Sequence, residues 1–185
     1  MINLTTSGNT IKIKGSKFYY GILAAFILGG LLGTGYLIIE GLKFNSTFSI
    51  LWVGGGFIFF PIFLYLFLWF LPGLIPGKVL ISLVQGENGY LVTKKGDVSF
   101  QNIQQINLVR NSLNLVNSIV IETFDRKVYK IPTYDLVDEV DYAVIVDKYI
   151  FPHMTSEAKA VWDRKVNLEK LYKEVQYERE TGIKG

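Results

Sequence analysis

The sequence predicts a membrane α-helical hairpin joined to an α+β soluble domain. Two uncharged apolar runs, residues 18–39 and 48–71, are each long enough as helices to cross a hydrocarbon core of about 30 Å. Beyond residue 78 the apolar residues alternate with polar ones, as in short β-strands, and residues 155–181 have helical spacing. These observations divide the chain into five parts: an N-terminal tail (1–17), a two-span transmembrane hairpin (18–71), a linker (72–78), a β-rich domain (79–151) and a C-terminal helix (155–181).

Charge differs between the membrane part and the rest. Residues 1–77 carry four lysines and one acid, whereas residues 78–185 carry 15 basic and 15 acidic residues. The soluble part therefore has no net basic excess to attract nucleic acid, and we predict no nucleic-acid partner. The sequence contains no cysteine, which excludes disulfides, cysteine-ligated zinc and a thiolate nucleophile within it.

The lysines also predict the topology. Lys12, Lys14 and Lys17 precede the first run, and Lys78 follows the second, whereas only Glu40 and Lys43 lie between the runs. The positive-inside rule then places both termini in the cytoplasm of a multi-pass protein of the cell membrane. A cleaved signal peptide is the alternative for residues 18–39, but this run exceeds the usual apolar core of a signal sequence and a second run follows.

Residues 10–14 of the tail alternate in the manner of a strand. One interpretation is a frayed cytoplasmic tail whose lysines set the orientation. The other is a strand that joins the sheet of the soluble domain. The linker, with two prolines and two glycines between residues 72 and 77, ends the second helix and keeps the domain close to the bilayer.

Small residues recur in both apolar runs at positions that suit close helix packing. The candidate packing residues are Gly21, Ala25, Gly29 and Gly33 in the first run, and Gly54 and Gly55 at matching depth in the second. Small side chains let two helix backbones approach closely in a membrane. We predict that these residues pack the two helices of one chain together, with homo-oligomerisation as the alternative. Neither run contains Asp, Glu, Lys, Arg, His, Asn or Gln, which argues against a transporter.

The β-rich domain is predicted to contain seven antiparallel strands in a small sheet or barrel. They cover residues 79–84, 90–94, 98–100, 103–109, 113–116, 119–124 and 127–131. A helix over residues 134–151 follows and caps one open end. Thr155 is the predicted N-cap of the amphipathic C-terminal helix, and its narrow apolar seam contains the candidate partner-binding residues Val161, Leu168, Leu171 and Val175. We expect this seam to pack back on its own domain, and pairing with a partner helix is the alternative.

The β-rich domain resembles a known family. Gly89-Tyr90-Leu91-Val92, the Ile-Gln-Gln-Ile sequence of residues 103–106 and a hairpin over residues 119–132 that ends in Ile131-Pro132 occur in the order typical of a bacterial pleckstrin-homology-like (PH-like) domain. The resemblance covers residues 78–151, and the two preceding runs are similar to anchors of small membrane proteins from Gram-positive bacteria. It implies a PH-like sheet or barrel capped by a helix, and it does not by itself imply an activity.

No combination of residues supports catalysis. The one histidine, His153, lies in a proline-containing turn, and the acids at 135, 138, 139 and 141 match solvated residues at the start of a helix. No phosphate-binding glycine motif is present. We therefore predict no catalytic, cofactor-binding or metal-binding residues, and a non-enzymatic membrane protein whose soluble domain binds or scaffolds a protein partner. The alternatives are an immunity-type protein that protects against a membrane-active bacterial toxin and a peripheral lipid-sensing module.

Overall fold

The structure is a computed structural model that describes residues 3–86 and 88–179. The chain forms two compact units. The helical unit is Lys17–Pro76, and the β unit combines Met1–Ser16 with Gly77–Gly185. The N-terminal segment before the first helix therefore belongs to the same unit as the C-terminal half.

The helical unit consists of α1 (Lys17–Leu42) and α2 (Ser49–Phe70), which pack against each other. Both helices are long and apolar enough to cross a membrane, by length and composition. Only 11% of the most apolar part of α1 and 6% of that of α2 is buried, so both helices expose most of their apolar surface. Large apolar side chains such as Leu32 and Ile50 are about three-quarters exposed. Such a surface is characteristic of contact with lipid or another apolar partner.

The glycines that pack α1 against α2 are not the predicted ones. A Cβ added at Gly21, Gly29, Gly33, Gly54 or Gly55 would meet nothing within 4 Å, and Ala25 is exposed. The prediction that these residues hold the two helices together is therefore wrong.

Three other glycines lie at the contact between the helices. A Cβ at Gly30 would collide with the ring of Phe63, one at Gly41 would lie 2.6 Å from Val53, and one at Gly56 would lie 2.5 Å from Ile38. Because both helices are apolar on all sides, hydropathy did not reveal which face turns inward. The predicted small-residue stripe faces outward, and its use in oligomerisation stays a prediction.

The described part of the β unit contains eight strands in two antiparallel sheets. The five-stranded sheet has the order β1 (Asn3–Ser7), β2 (Thr10–Lys14), β3 (Val79–Val84), β4 (Tyr90–Thr93) and β5 (Gly96–Ser99). The three-stranded sheet has the order β6 (Ile103–Arg110), β7 (Asn117–Thr123) and β8 (Val128–Pro132). The strands thus form two sheets, and not the single seven-stranded sheet or barrel that we predicted.

The structure decides between the two interpretations of residues 10–14 and corrects one predicted strand. Residues 10–14 are not part of a frayed tail, because β2 pairs with β3 and places Ile13 opposite Ile81 in the core. Residues 113–116 are not a strand but the loop between β6 and β7. Asn111 forms this loop by accepting a hydrogen bond from the Leu113 amide at 2.9 Å, and Leu115 has a φ of 59° that a strand does not allow.

The helix predicted over residues 134–151 is shorter and irregular. Its α-helical part is α3 (Glu139–Ile145), followed by a π-helical turn (Val146–Ile150) and a 3₁₀ turn (Phe151–His153). Tyr134 and Asp135 have positive φ and cannot join a right-handed helix. Asp138 instead starts α3 by accepting a hydrogen bond from the Asp141 amide at 2.6 Å.

The C-terminal helix predicted over residues 155–181 is two helices. Thr155 caps α4 (Ser156–Asp163), which confirms the predicted start. Asn167 then caps a new helix, α5 (Leu168–Val175), and Gln176 ends it in the left-handed conformation. The helix breaks here because the Asn167 side chain accepts a hydrogen bond from the Lys170 amide. In a continuous helix that amide would donate to a backbone carbonyl of the preceding turn. Residues 180 and 181 lie outside the described residues.

Candidate functional site

A cavity of about 380 Å³ opens on the β unit where the three-stranded sheet meets the helices that follow it. It is called the α3–α5 cavity here. Contacts of α4 with β6 and of α5 with α3 close its sides. Its lining residues are Ile106, Asn107, Leu108, Arg110, Asn117, Glu139, Val140, Tyr142, Ala143, Trp162, Lys165, Val166, Asn167, Lys170 and Leu171. The volume falls in the range of small-molecule and side-chain pockets.

Tyr142 contributes a buried polar group to the wall of the cavity. This residue of α3 is 6% exposed, and its ring packs edge-on against Trp162 at 5.9 Å between centroids. Its buried hydroxyl has no hydrogen-bond partner among the described residues. Burial raises the pKa of the hydroxyl, so it stays protonated and able to donate. A buried polar group without a partner is costly to the folded state.

The charged side chains of the cavity are mostly cationic. Lys170 Nζ lies 3.2 Å from Glu139 Oε2 and forms an exposed ion pair. Lys165 Nζ instead donates to two amide oxygens, of Asn107 at 2.8 Å and Gln105 at 3.1 Å. Neutral partners leave the charge of Lys165 uncompensated, which favours an incoming carboxylate.

A buried carboxylate fixes the wall behind Trp162. Asp147 accepts hydrogen bonds from Trp162 Nε1 at 2.8 Å, from the Tyr177 hydroxyl at 2.9 Å and from Arg179 Nε at 2.9 Å. Arg179 also donates to Asp163 at 2.6 Å. Asp147 lies in the π-helical turn, an irregularity often found where a helix positions a particular side chain. This group of residues is called the Asp147 clamp, and it ties the chain after α5 to the body of the β unit.

The four candidate partner-binding residues do not share one environment. Leu171 is 2% exposed and lines the α3–α5 cavity, so it packs on its own unit. Val161 is half-buried. Leu168 and Val175 remain 38% and 46% exposed, and Tyr172 between them is 54% exposed. Their spacing puts these three residues on one side of α5, and they form the α5 strip.

His153 has a packing role in the structure. Its ring stacks on Phe100 at 5.8 Å between centroids. Among residues 3–86 and 88–179, no group of three or more His, Cys, Asp or Glu side chains is arranged to hold a metal ion. The absence of catalytic, cofactor-binding and metal-binding residues stays a prediction.

The sequence did not single out Tyr142 or Lys165. Both lie in segments of ordinary helical pattern, and the cavity exists only because β6, α3, α4 and α5 meet. The unpartnered hydroxyl of a buried tyrosine has no sequence signal of its own.

Comparison with known proteins places the chain in a family. Residues 9–172 match the model of a family of unknown function, DUF5381. The chain belongs to the DUF5381 family. The matched region of this DUF5381 protein includes both apolar helices, β3 to β8 and the α3–α5 cavity.

Two relatives come from Bacillus subtilis strain 168. The uncharacterized lipoprotein YfjD is 32% identical over 158 residues, which are 82% of this chain and 85% of YfjD. The uncharacterized protein YfjE is 28% identical over 128 residues, or 66% of this chain and 84% of YfjE. No solved structure matches the chain. The two apolar helices and a relative named as a lipoprotein together indicate membrane association.

Proposed function

We propose that this DUF5381 protein is a non-enzymatic integral protein of the cell membrane whose PH-like β unit binds a protein partner. In this proposal α1 and α2 both span the bilayer, and both termini are cytoplasmic. Lys12, Lys14 and Lys17 before α1 and Lys78 after α2 support that orientation. The PH-like assignment is supported by the succession of short antiparallel strands from β3 to β8 and the helix α3 after them.

Attachment through the helices is preferred over attachment through a lipid. YfjD carries the name lipoprotein, but the 185 residues here contain no cysteine thiol for acylation. The helices, in contrast, expose apolar side chains along their length. Inserting that surface into hydrocarbon removes it from water, and the backbone of each helix is already hydrogen-bonded internally.

The observation that carries the binding proposal is the α5 strip beside the α3–α5 cavity. Leu168, Tyr172 and Val175 are exposed on one side of a short helix, and Tyr142 in the cavity wall has a buried hydroxyl without a partner among the described residues. Exposed apolar residues next to a partly filled concavity are typical of a protein interface. Because Arg110 and Lys165 line the same cavity, the matching partner segment combines an apolar side chain with a carboxylate.

Site-specific photocrosslinking in native membranes tests this proposal. A photoreactive amino acid at Val175 should capture a partner protein that the same group at exposed Glu157 on α4 does not. Arg110→Gln combined with Lys165→Gln should reduce the yield several-fold, because the partner's carboxylate loses its cations. Equal capture at both positions, capture of only a second copy of this chain, or a yield unaffected by the two glutamines would contradict the proposal.

Cysteine labelling tests the topology separately. Since the chain has no cysteine, a single Thr47→Cys or Ser99→Cys substitution gives one labelled site. A membrane-impermeant maleimide should label Thr47→Cys, between the helices, in intact cells. It should label Ser99→Cys, in β5, only after the membrane is opened. The reverse pattern would invert the orientation, and labelling of both sites in intact cells would rule out two spans.

A further inference from the structure

A second concavity of about 300 Å³ lies on the β unit at the end of the five-stranded sheet where β3 begins and β4 ends. Lys78, Lys94 and Lys130 come from three different segments and all line it. It is called the lysine pocket here. Among the described residues that line it there is no aspartate or glutamate. Three cations around one concavity repel each other, and an anion bound between them would remove that repulsion.

The walls of the pocket are built by the fold. Ser82 and Val92 are paired across β3 and β4, so their side chains share one face of the sheet. Tyr134 forms another wall, 8% exposed and held in a left-handed backbone conformation with a φ of 53°. Lys78 Nζ lies 4.4 Å from the centre of the Tyr134 ring. The ring therefore helps to hold the Lys78 ammonium in place.

The electrostatic surroundings agree with the geometry. Burial, and after it the charge of Lys94, lowers the pKa of Lys78. Lys12 pairs with Ser82 and adds a further cation on the same face of the sheet. One carboxylate, Asp97, pairs with Val92 and lies at the margin of the pocket. The charge is thus clearly positive locally, although residues 78–185 are net neutral.

Position along the chain indicates what reaches this pocket. Lys78 follows Phe70, the last residue of α2, by eight positions. Eight residues of chain span at most about 28 Å, so a membrane-embedded α2 keeps Lys78 within reach of the headgroup layer. Lysine is a common point-charge ligand of phosphate groups.

We infer that the lysine pocket binds a phosphate-bearing anion, supplied either by the headgroup of an anionic phospholipid or by free phosphate. This inference does not depend on the proposed protein partner, because the lysine pocket and the α3–α5 cavity share no lining residue. The bound phosphate would accept hydrogen bonds from the ammonium groups while the apolar wall of Leu80, Val92 and Ile131 limits access of water.

Lysine protection in the full chain provides the test. The protein is placed in nanodiscs of phosphatidylcholine, or of phosphatidylcholine with phosphatidylglycerol, and each lysine is acetylated and quantified by mass spectrometry. Inorganic phosphate is titrated into the phosphatidylcholine sample. Lys94 and Lys130 should be protected saturably, whereas Lys95, which adjoins Lys94 but does not line the pocket, should not. Protection by phosphatidylglycerol alone identifies a headgroup as the source, and protection by phosphate in phosphatidylcholine identifies a free anion.

Matched variants sharpen the result. Lys94→Gln and Lys130→Gln should each raise the anion concentration that half-protects the remaining lysines about five-fold, as expected for one lysine near a charged surface. Lys95→Gln should leave that concentration unchanged, and Asp97→Asn should lower it because a marginal carboxylate is removed. All four residues are exposed, so these substitutions should not disturb folding, and a thermal melt checks this. No protection by either source, equal protection of Lys95, or equal effects of Lys94→Gln and Lys95→Gln would overturn the inference.

Discussion

Replacing Arg179 with methionine should destabilise the β unit through the Asp147 clamp. The side chain of Asp147 is fully buried and that of Arg179 is 18% exposed, so the pair is largely shielded from water. Methionine keeps much of the packing of Arg179 over the Phe151 ring, where the guanidinium carbon lies 4.0 Å from the ring centre. The substitution therefore removes mainly the charge and its hydrogen bonds.

The expected loss follows from the partners that remain. Removing one member of a buried ion pair typically costs about 3–5 kcal/mol, because it leaves a buried charge uncompensated. Asp147 would keep the neutral donors of Trp162 and Tyr177, which places the expected loss near the lower limit, at about 3 kcal/mol. Arg164→Met is the matched control, since Arg164 is an exposed residue just after α4, and it should change the free energy of unfolding by less than about 0.5 kcal/mol.

Trp162 supplies the assay because it is itself part of the clamp. The chain has three tryptophans, and a Trp52→Phe, Trp69→Phe background leaves only Trp162 as a fluorophore. Urea unfolding of the full chain in a neutral detergent, followed by Trp162 emission, gives the free energy of unfolding of the β unit. In an Asp147→Asn background the Arg179→Met loss should fall below about 1.5 kcal/mol, because the buried charge is gone. A loss below about 1 kcal/mol in the parent, or an equal loss in both backgrounds, would refute the assignment of Asp147 and Arg179 as a stabilising pair.

Three further substitutions probe other parts of the structure. Tyr142→Phe removes a buried hydroxyl without a partner in the described chain, so it should leave the free energy of unfolding in urea unchanged or raise it by about 1 kcal/mol. A stability loss would instead mean that the hydroxyl is already satisfied. Gly30→Val should lower the SDS concentration that unfolds the helical unit, because the new side chain would collide with Phe63 at a cost of about 1–3 kcal/mol. Gly29→Val should leave that concentration unchanged, because a Cβ there meets nothing within 4 Å. Asp135→Asn should raise the free energy of unfolding at pH 7 by about 0.5 kcal/mol, because burial raises the pKa of this carboxyl. Asparagine also tolerates the backbone φ of 55° at this position, so the substitution adds no strain. That raised pKa means ionisation disfavours the folded state, so the gain should be present at pH 7 and shrink as pH falls towards about 4, where the unfolded carboxyl also becomes protonated.

The regular elements could be predicted because their signals are local. The apolar runs gave α1 and α2, and period-two alternation gave β3, β4, β6, β7 and β8 to within a few residues. Thr155 predicted the start of α4 because an N-cap is a property of adjacent residues. The break between α4 and α5 was missed, although Asn167 is a cap residue, because the charged pattern around it is equally compatible with one continuous helix.

The arrangement of those elements depended on contacts between distant segments. β2 and β3 are separated in sequence by the whole helical unit, yet Ile11 and Ile13 pair with Leu83 and Ile81. Alternation showed that residues 10–14 can form a strand but not which strand they pair with. In the same way, two sets of small residues were available along α1, and only the positions of Phe63, Val53 and Ile38 show that Gly30, Gly41 and Gly56 face α2.

Net charge was the least informative part of the sequence for ligand binding. Equal numbers of acids and bases in residues 78–185 predicted weak attraction to anions, but this average includes acids that the structure commits to other partners. Asp147 pairs with Arg179, Asp125 with Lys127 and Glu139 with Lys170. Each of these acids pairs with a base outside the lysine pocket. Anion binding by this unit is therefore decided by the electrostatic field within one concavity. That field falls off over about 10 Å in salt, so the net charge of the whole domain has little effect on it.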